Sequence, residues 1–346
     1  ETGTSRITDL YQLDSDKYTY VLASTASGNN NNFDILLAHP QQSLELNDLD
    51  NSEVEHDFLD SLHAWWLQER LAPTGIENTG TSEPGPSNPL PFTGGWFIYL
   101  SYELAAEIEP VLKLPAGEHG DPVAMAVRCP SAVIYDHQRK QHIAVAELDY
   151  AHLLDTIEQD FHTAIARINT TTTASTAVKV DKITEADTGP YMQQVARIKQ
   201  YIIDGDIFQA NLSRPWQLEI NESTRDIDIF NKLATENPGS FAVLARLPDS
   251  TVISSSPERL VSVNHKTIET RPIAGTRPRS EDESLDVQLA TELMAHPKEK
   301  AEHIMLIDLE RNDLGRICIP GTIKVDEFMT LETYQHVHHI VSNVVG

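Results

Sequence analysis

Basic residues are scarce in this chain of 346: 26 lysines and arginines stand against 52 aspartates and glutamates, a formal net charge of −26. A surface so acidic repels phosphate backbones, which argues against nucleic acid as a partner. It repels small anions as well. An anionic substrate would need a site built locally by a metal ion, an arginine or aimed backbone N–H groups. Cysteine is nearly absent. Cys129 and Cys318 lie far apart in no ligand-spaced cluster, which excludes a disulfide framework and suits a reduced, cytoplasmic protein. No apolar run approaches the roughly 20 residues that span a bilayer. The first residues, Glu1-Thr2-Gly3-Thr4, show neither the basic nor the apolar region of a secretory leader. What is present is a hydrophobic share of 40%, enough for a sizeable core in one large domain or two ordinary ones.

Periodicity gives the organisation. Tyr18, Tyr20 and Leu22 alternate as in a strand, and Phe33–Ala38 forms a second strand after an Asn-rich turn, Asn29 to Asn32. Val54, Phe58, Leu62 and Trp65 fall at helical spacing and predict a helix over 52–70, with Ser52 and Glu55 as a capping box. Residues 73–91, rich in Pro, Gly, Ser and Thr, read as an exposed loop. Gly94–Leu100 reads as a strand, 132–135 with 142–146 as a hairpin, and 150–168 as an amphipathic helix. The Thr-rich stretch from Thr170 to Ser175 is the natural connector, giving subregions over 1–168 and 185–346 joined by 169–184. Beyond it, a helix runs from Pro190 to a stop at Gly205. Strands at 241–246, 251–255, 260–263 and 267–271 then read as one antiparallel meander. Helices over 284–295 and 297–310 and a last strand over 336–344 complete the chain. Strands and helices come in segregated runs, which argues for an α+β fold.

Chemistry concentrates in the second half. Four segments stand out: Gly205–Arg214 (GDIFQANLSR), Ser254–Leu260 (SSSPERL), Thr270–Arg279 (TRPIAGTRPR), and Lys300–His303 running on to Asp308–Arg316. Each has an ordinary reading. Glu258 in a turn and Glu302 on a helix are solvated carboxylates by default. Gly275-Thr276 is either turn chemistry or a place where backbone N–H groups meet an anion. The acidic residues from Asp308 to Asp313 suit capping just beyond a buried helix. His336, His338 and His339 invite a zinc site, yet no cysteine or HExxH motif lies near, so polar contacts along a strand are the better reading.

Taken together, in this order and spacing, and with His339-Ile340-Val341-Ser342 at the end, the segments resemble the chorismate-utilising enzymes. That family contains anthranilate synthase component I, aminodeoxychorismate synthase component I, and the isochorismate and salicylate synthases. The resemblance implies an α+β fold of two antiparallel β-sheets packed face to face with helices outside. It implies chorismate as substrate, Mg²⁺ as cofactor, and a glutaminase subunit as the partner that supplies ammonia. Residue by residue, it makes Glu302 a Mg²⁺ ligand and Glu258 the general acid that protonates the departing 4-hydroxyl. His339 would face the reacting ring. Asn211, Arg271, Gly275 and Thr276 fall at substrate-binding positions, and Ala274 stands where some members have a lysine nucleophile.

Two departures from the family pattern follow. Its last segment, with a second Mg²⁺-binding glutamate, is missing here; a chain that stopped at Gly346 would be inactive, so the expectation is a sequence incomplete at its C-terminus, with a non-catalytic binding homologue as the alternative. Within the family, Ala274 resembles the anthranilate synthases of tryptophan biosynthesis. The Asn211-Leu212-Ser213 segment and the strand Phe33–Ala38 resemble the aminodeoxychorismate synthases of p-aminobenzoate and folate biosynthesis. The second resemblance sets the expectation.

Overall fold

The computed structural model describes residues 6–25, 33–47, 57–71, 90–114, 120–170 and 178–346. In chain order the elements are α1 (Ile7–Leu13), β1 (Tyr18–Ala23), β2 (Phe33–Ala38), β3 (Ser43–Leu46), α2 (Phe58–Leu71), β4 (Gly95–Leu100), α3 (Ala105–Ile108), β5 (Ala124–Cys129), β6 (Ser131–Asp136), β7 (Gln141–Ala146) and α4 (Leu153–Thr170). There follow β8 (Val180–Glu185), α5 (Thr188–Asp204), β9 (Trp216–Ile220), α6 (Asp226–Glu236), β10 (Phe241–Arg246), β11 (Thr251–Ser256), β12 (Ser262–Asn264), β13 (Thr267–Thr270) and β14 (Ile273–Pro278). The last elements are α7 (Glu283–Ala295), α8 (Pro297–Gly315), β15 (Lys324–Thr333) and β16 (Val337–Val345). No described helix is long and apolar enough to cross a membrane.

Contacts divide the chain into two units. One holds the described residues within Glu1–Thr172 and Leu233–Gly346, the other Thr173–Lys232. The connector therefore marks one edge of the smaller unit, but residues from 233 onward fold with the N-terminal strands.

All strand pairs in the larger unit are antiparallel. A six-stranded sheet runs β11-β10-β1-β2-β6-β7, with Tyr20 opposite Ala245, so strands from before and after the smaller unit share one sheet. A three-stranded sheet, β3-β5-β4, lies against it: Tyr20 and Phe97 stack at 3.8 Å and 4°. Leu37, Met125, Val127, Cys129 and Ala245 fill the space around that pair. Burying such side chains is worth about 1.5–3 kcal/mol each. The third sheet is built on β16, with β13 and β14 along one edge and β15 along the other. Helix α8 covers it, burying Ile307 and Leu314 against Val344. The α+β architecture of antiparallel sheets with helices is as the sequence implies.

Several boundaries differ. The helix predicted over 52–70 begins at Phe58; its expected cap at Ser52, the Asn29–Asn32 turn and most of the 73–91 loop and Thr-rich connector lie outside the described residues. The expected single meander is two hairpins: β10 pairs β11 in the first sheet, while β12 pairs β13 in the third. The acidic residues Asp308–Asp313 do not follow helix α8 but form its last turns. Strand β5 escaped the pattern because all six of its residues are buried, which erases the alternation that reveals a half-buried strand.

In the smaller unit, β8 pairs β9, and α5 begins at an Asp187 cap whose carboxylate accepts the Gly189 N–H. The helix ends at Gly205 in the left-handed conformation, φ 81°, at the position its sequence sets.

Candidate functional site

Strand β14 organises the site. Ile273 lies opposite Val341 and Thr276 opposite His339, so three steps on β14 span two on β16 and a β-bulge falls at Ala274-Gly275. A bulge leaves backbone groups out of the ladder and re-aims side chains, a common device beside functional centres. Gly275 takes φ 92° there. A Cβ on it would meet Ile340 Cδ1 and Leu293 Cδ1 at 3.2 Å and Glu299 Cβ at 3.3 Å. Helices α7 and α8 therefore approach this strand as closely as they do because residue 275 has no side chain.

The predicted residues fall around this bulge. Glu258, exposed in the turn after β11, accepts the Ile273 N–H through Oε1 at 3.0 Å, which ties that turn to the start of β14. Ala274 is buried at 6% exposure. Thr276 Oγ1 and His339 Nδ1 are 2.9 Å apart across the strand pair. Burial holds His339 below the usual imidazole range, opposed by its contact with the Gly275 backbone and by the charge of Glu332. Its ring meets Tyr334 edge-on at 5.7 Å. Glu302 lies half-buried on α8, which packs on both β14 and β16. Five of the predicted residues, Glu258, Ala274, Gly275, Thr276 and His339, thus share one strand pair and its adjoining turn, and Glu302 rides on the helix above them.

The other two stand elsewhere. Asn211 is exposed in the smaller unit, in the irregular segment between α5 and β9. Arg271 is committed to an ion-pair network: Nη1 to Glu327 at 2.6 Å and Nη2 to Glu332 at 2.5 Å, its side chain 15% exposed. Burial would lower its pKa, but the hydrogen bonds and charges of the two glutamates outweigh that and raise it. Glu332 also accepts the Tyr334 hydroxyl at 2.5 Å, and burial with that bond pushes Tyr334 up to about 12.

The histidines act as strand-borne contacts. His336 Nε2 lies 2.8 Å from the Glu236 carbonyl. His338 is held between Thr333 Oγ1 at 2.9 Å and Asp286 Oδ1 at 3.0 Å. Among the described residues, no group of three or more His, Cys, Asp or Glu could hold a metal ion.

Two groups, one buried and one half-buried, were not foreseen. His303, fully buried on α8, places Nε2 2.7 Å from Ser342 Oγ on β16. Burial lowers its pKa, and Nδ1 faces the Ala274 carbonyl without closing a well-formed hydrogen bond. Glu310, near the end of α8, is raised by burial and by the charges of Asp313 and Glu258, against a contact with Thr270. The run Lys300–His303 had drawn attention to Glu302 alone. The signal for His303 was its helical spacing with Ile307 and Leu314, which with it form the buried face of α8.

A family profile described as chorismate binding enzyme matches residues 19–346. An anthranilate synthase component I-like protein of Synechocystis is 41% identical over 260 residues, covering 74% of this chain and 52% of that protein. The Bacillus subtilis aminodeoxychorismate synthase component 1 is 36% identical over 298 residues, 84% of this chain and 60% of that one. The anthranilate synthase component 1 of the same organism is 33% identical over 293 residues, 78% and 56% respectively. The chain spans between about half and three fifths of the length of these relatives. The crystal structure of anthranilate synthase component I from Streptococcus pneumoniae superimposes with a TM-score of 0.70 over 92% of this chain and 70% of that one, at 24% identity, and so shares the fold. The chain belongs to the chorismate binding enzyme family.

Proposed function

We propose that this chorismate binding enzyme aminates chorismate to 4-amino-4-deoxychorismate in a Mg²⁺-dependent reaction, as component I of an aminodeoxychorismate synthase. Ammonia comes from a separate glutaminase subunit, and the setting is the cytoplasm. The supporting observation is the convergence on β14: Glu258 tied to Ile273, the bulge at Ala274-Gly275, and Thr276 bonded to His339.

The residues present fit Mg²⁺. This ion takes one or two protein carboxylates and completes its shell with water and substrate oxygens, so one half-buried glutamate on a packed helix is a sufficient anchor. Glu302 would hold it, and the ion would neutralise a substrate carboxylate that this acidic chain otherwise repels. The chain's own groups supply the rest. Glu258 protonates the leaving 4-hydroxyl, the backbone around Gly275-Thr276 receives a carboxylate, and His339, kept neutral by burial, faces the ring. Arg271 belongs to the same proposed substrate site. For Arg271, the part that fits its ion pairs is to shape the strand under the site.

One observation favours a second reading. Ala274 offers no amine at the bulge, so ammonia itself attacks the ring, as it would in an anthranilate synthase. Relatives of both names match at 33–36% identity. The metal reading is tested by titrating chorismate and Mg²⁺ into the wild-type protein and Glu302→Gln. The variant should lose Mg²⁺-dependent chorismate binding, and unchanged affinity would remove Glu302 from the site.

A further inference from the structure

Ser342 lies at a junction. Strand β15 bulges opposite it, where Glu327 pairs Asn343 and Thr330 pairs Val341, and Met329 within the bulge has φ 49°. The N–H of Met329, expelled from the ladder, donates to Ser342 Oγ at 2.8 Å. The same oxygen lies 2.7 Å from His303 Nε2. Both Ser342 and His303 are wholly buried. A hydroxyl has one proton and two lone pairs, so it can accept from Met329 and still bond the imidazole in either tautomer. One side-chain oxygen thus joins the β15 bulge, strand β16 and helix α8.

The position of His303 gives this junction its consequence. It lies one helical turn beyond Glu299, whose Cβ is one of the atoms crowding Gly275. Close packing at Glu299 and the His303–Ser342 bond are therefore two points on one face of α8. Two points fix both the position of a helix along a sheet and its rotation about its own axis. Glu302 neighbours His303, and its carboxylate moves with any such rotation. On the other side, β16 carries His339 earlier along the same strand as Ser342.

We infer that His303 is a positioning residue. Through Ser342 it locks the helix bearing Glu302 to the strand bearing His339, and so sets where a Mg²⁺ ion held by Glu302 stands relative to the bulge. The inference rests on the reading of Glu302 given above. A purely structural histidine would leave metal affinity intact in any variant that still folds.

The test is calorimetric titration of Mg²⁺, with chorismate present, into wild-type, His303→Leu, His303→Gln and Glu302→Gln proteins whose folding is verified by circular dichroism. Glutamine places an amide near the position of Nε2 and should restore the bond to Ser342; leucine fills the space without it. His303→Leu should bind Mg²⁺ roughly tenfold to a hundredfold more weakly, the range found when groups that orient metal ligands are removed. His303→Gln should stay close to wild type. A folded His303→Leu with wild-type affinity, while Glu302→Gln loses binding, overturns the positioning role and leaves the metal reading standing. Unchanged affinity in Glu302→Gln overturns the metal reading, and the inference with it. If His303→Leu does not fold, Ser342→Ala, which keeps the ring and deletes its partner, must show the same loss of Mg²⁺ affinity; wild-type affinity there overturns the inference.

Discussion

Substituting Gly275 by alanine loads the bulge in two separable ways. The first is conformational: an L-residue forced into the left-handed region costs about 1–2 kcal/mol, and Gly275 has φ 92°. The second is steric. The new methyl would stand 3.2 Å from Ile340 Cδ1 and Leu293 Cδ1 and 3.3 Å from Glu299 Cβ. The two δ-methyls can shift by a few tenths of an ångström, but Glu299 Cβ is fixed to the backbone of α8 and yields only if the helix moves. Overpacking of this kind costs about 1–3 kcal/mol, so Gly275→Ala should destabilise by about 2–5 kcal/mol in total. Gly321 provides the control. Its φ is 87°, and nothing lies within 4 Å of the site of its Cβ, so Gly321→Ala carries only the conformational cost. Urea unfolding of the two variants therefore isolates the close approach. Gly275→Ala should be the worse by about 1–3 kcal/mol. Equal losses would show that α8 does not rest on the bulge as described.

Arg271→Met removes the cation shared by Glu327 and Glu332 and strands both carboxylates. A loss of about 3 kcal/mol in urea unfolding is expected, at the low end for a buried pair because Glu327 keeps some contact with water; a loss below about 1 kcal/mol would show the network to be ornamental. The buried imidazole of His303 predicts a pH dependence. Its folded pKa lies below the ordinary 6.5, so between the two values the unfolded chain binds more protons. Stability from this group is complete above 6.5 and declines as the pH falls below it, until the folded pKa is passed. His303→Leu should therefore lose less stability than wild type when both are acidified from neutrality to about pH 5, and parallel losses would contradict the assignment.

Much of the fold was legible because most of its elements keep simple periods. Tyr18, Tyr20 and Leu22 announced β1, and Pro190 and Gly205 closely bracketed α5. The misses have physical causes. Strand β5 is buried on both faces and so shows no alternation. Strand β15 alternates in burial, but Glu327 takes an inward place beside Arg271 and Phe328 an outward one, so its apolar residues do not alternate. Residue spacing does not report that β11 and β12, close in sequence, belong to different sheets, because that depends on where β16 returns. The site was legible as motifs, and the strand pairing supplied their meaning: Glu258 and Ile273 are far enough apart in sequence to look unrelated, yet one hydrogen bond joins them. Arg271 shows the opposite limit. Its motif offered an anion-binding cation, and only the fold brings Glu327 and Glu332 to occupy it.

Product identity decides between the two aminations. The full-length protein is incubated with chorismate, Mg²⁺ and ammonium, and the products are separated with and without added 4-amino-4-deoxychorismate lyase. Chorismate should disappear in a Mg²⁺-dependent manner, giving a product that yields p-aminobenzoate only when the lyase is present. Direct formation of fluorescent anthranilate would contradict the choice of reaction, and chorismate left untouched would contradict the enzyme reading itself.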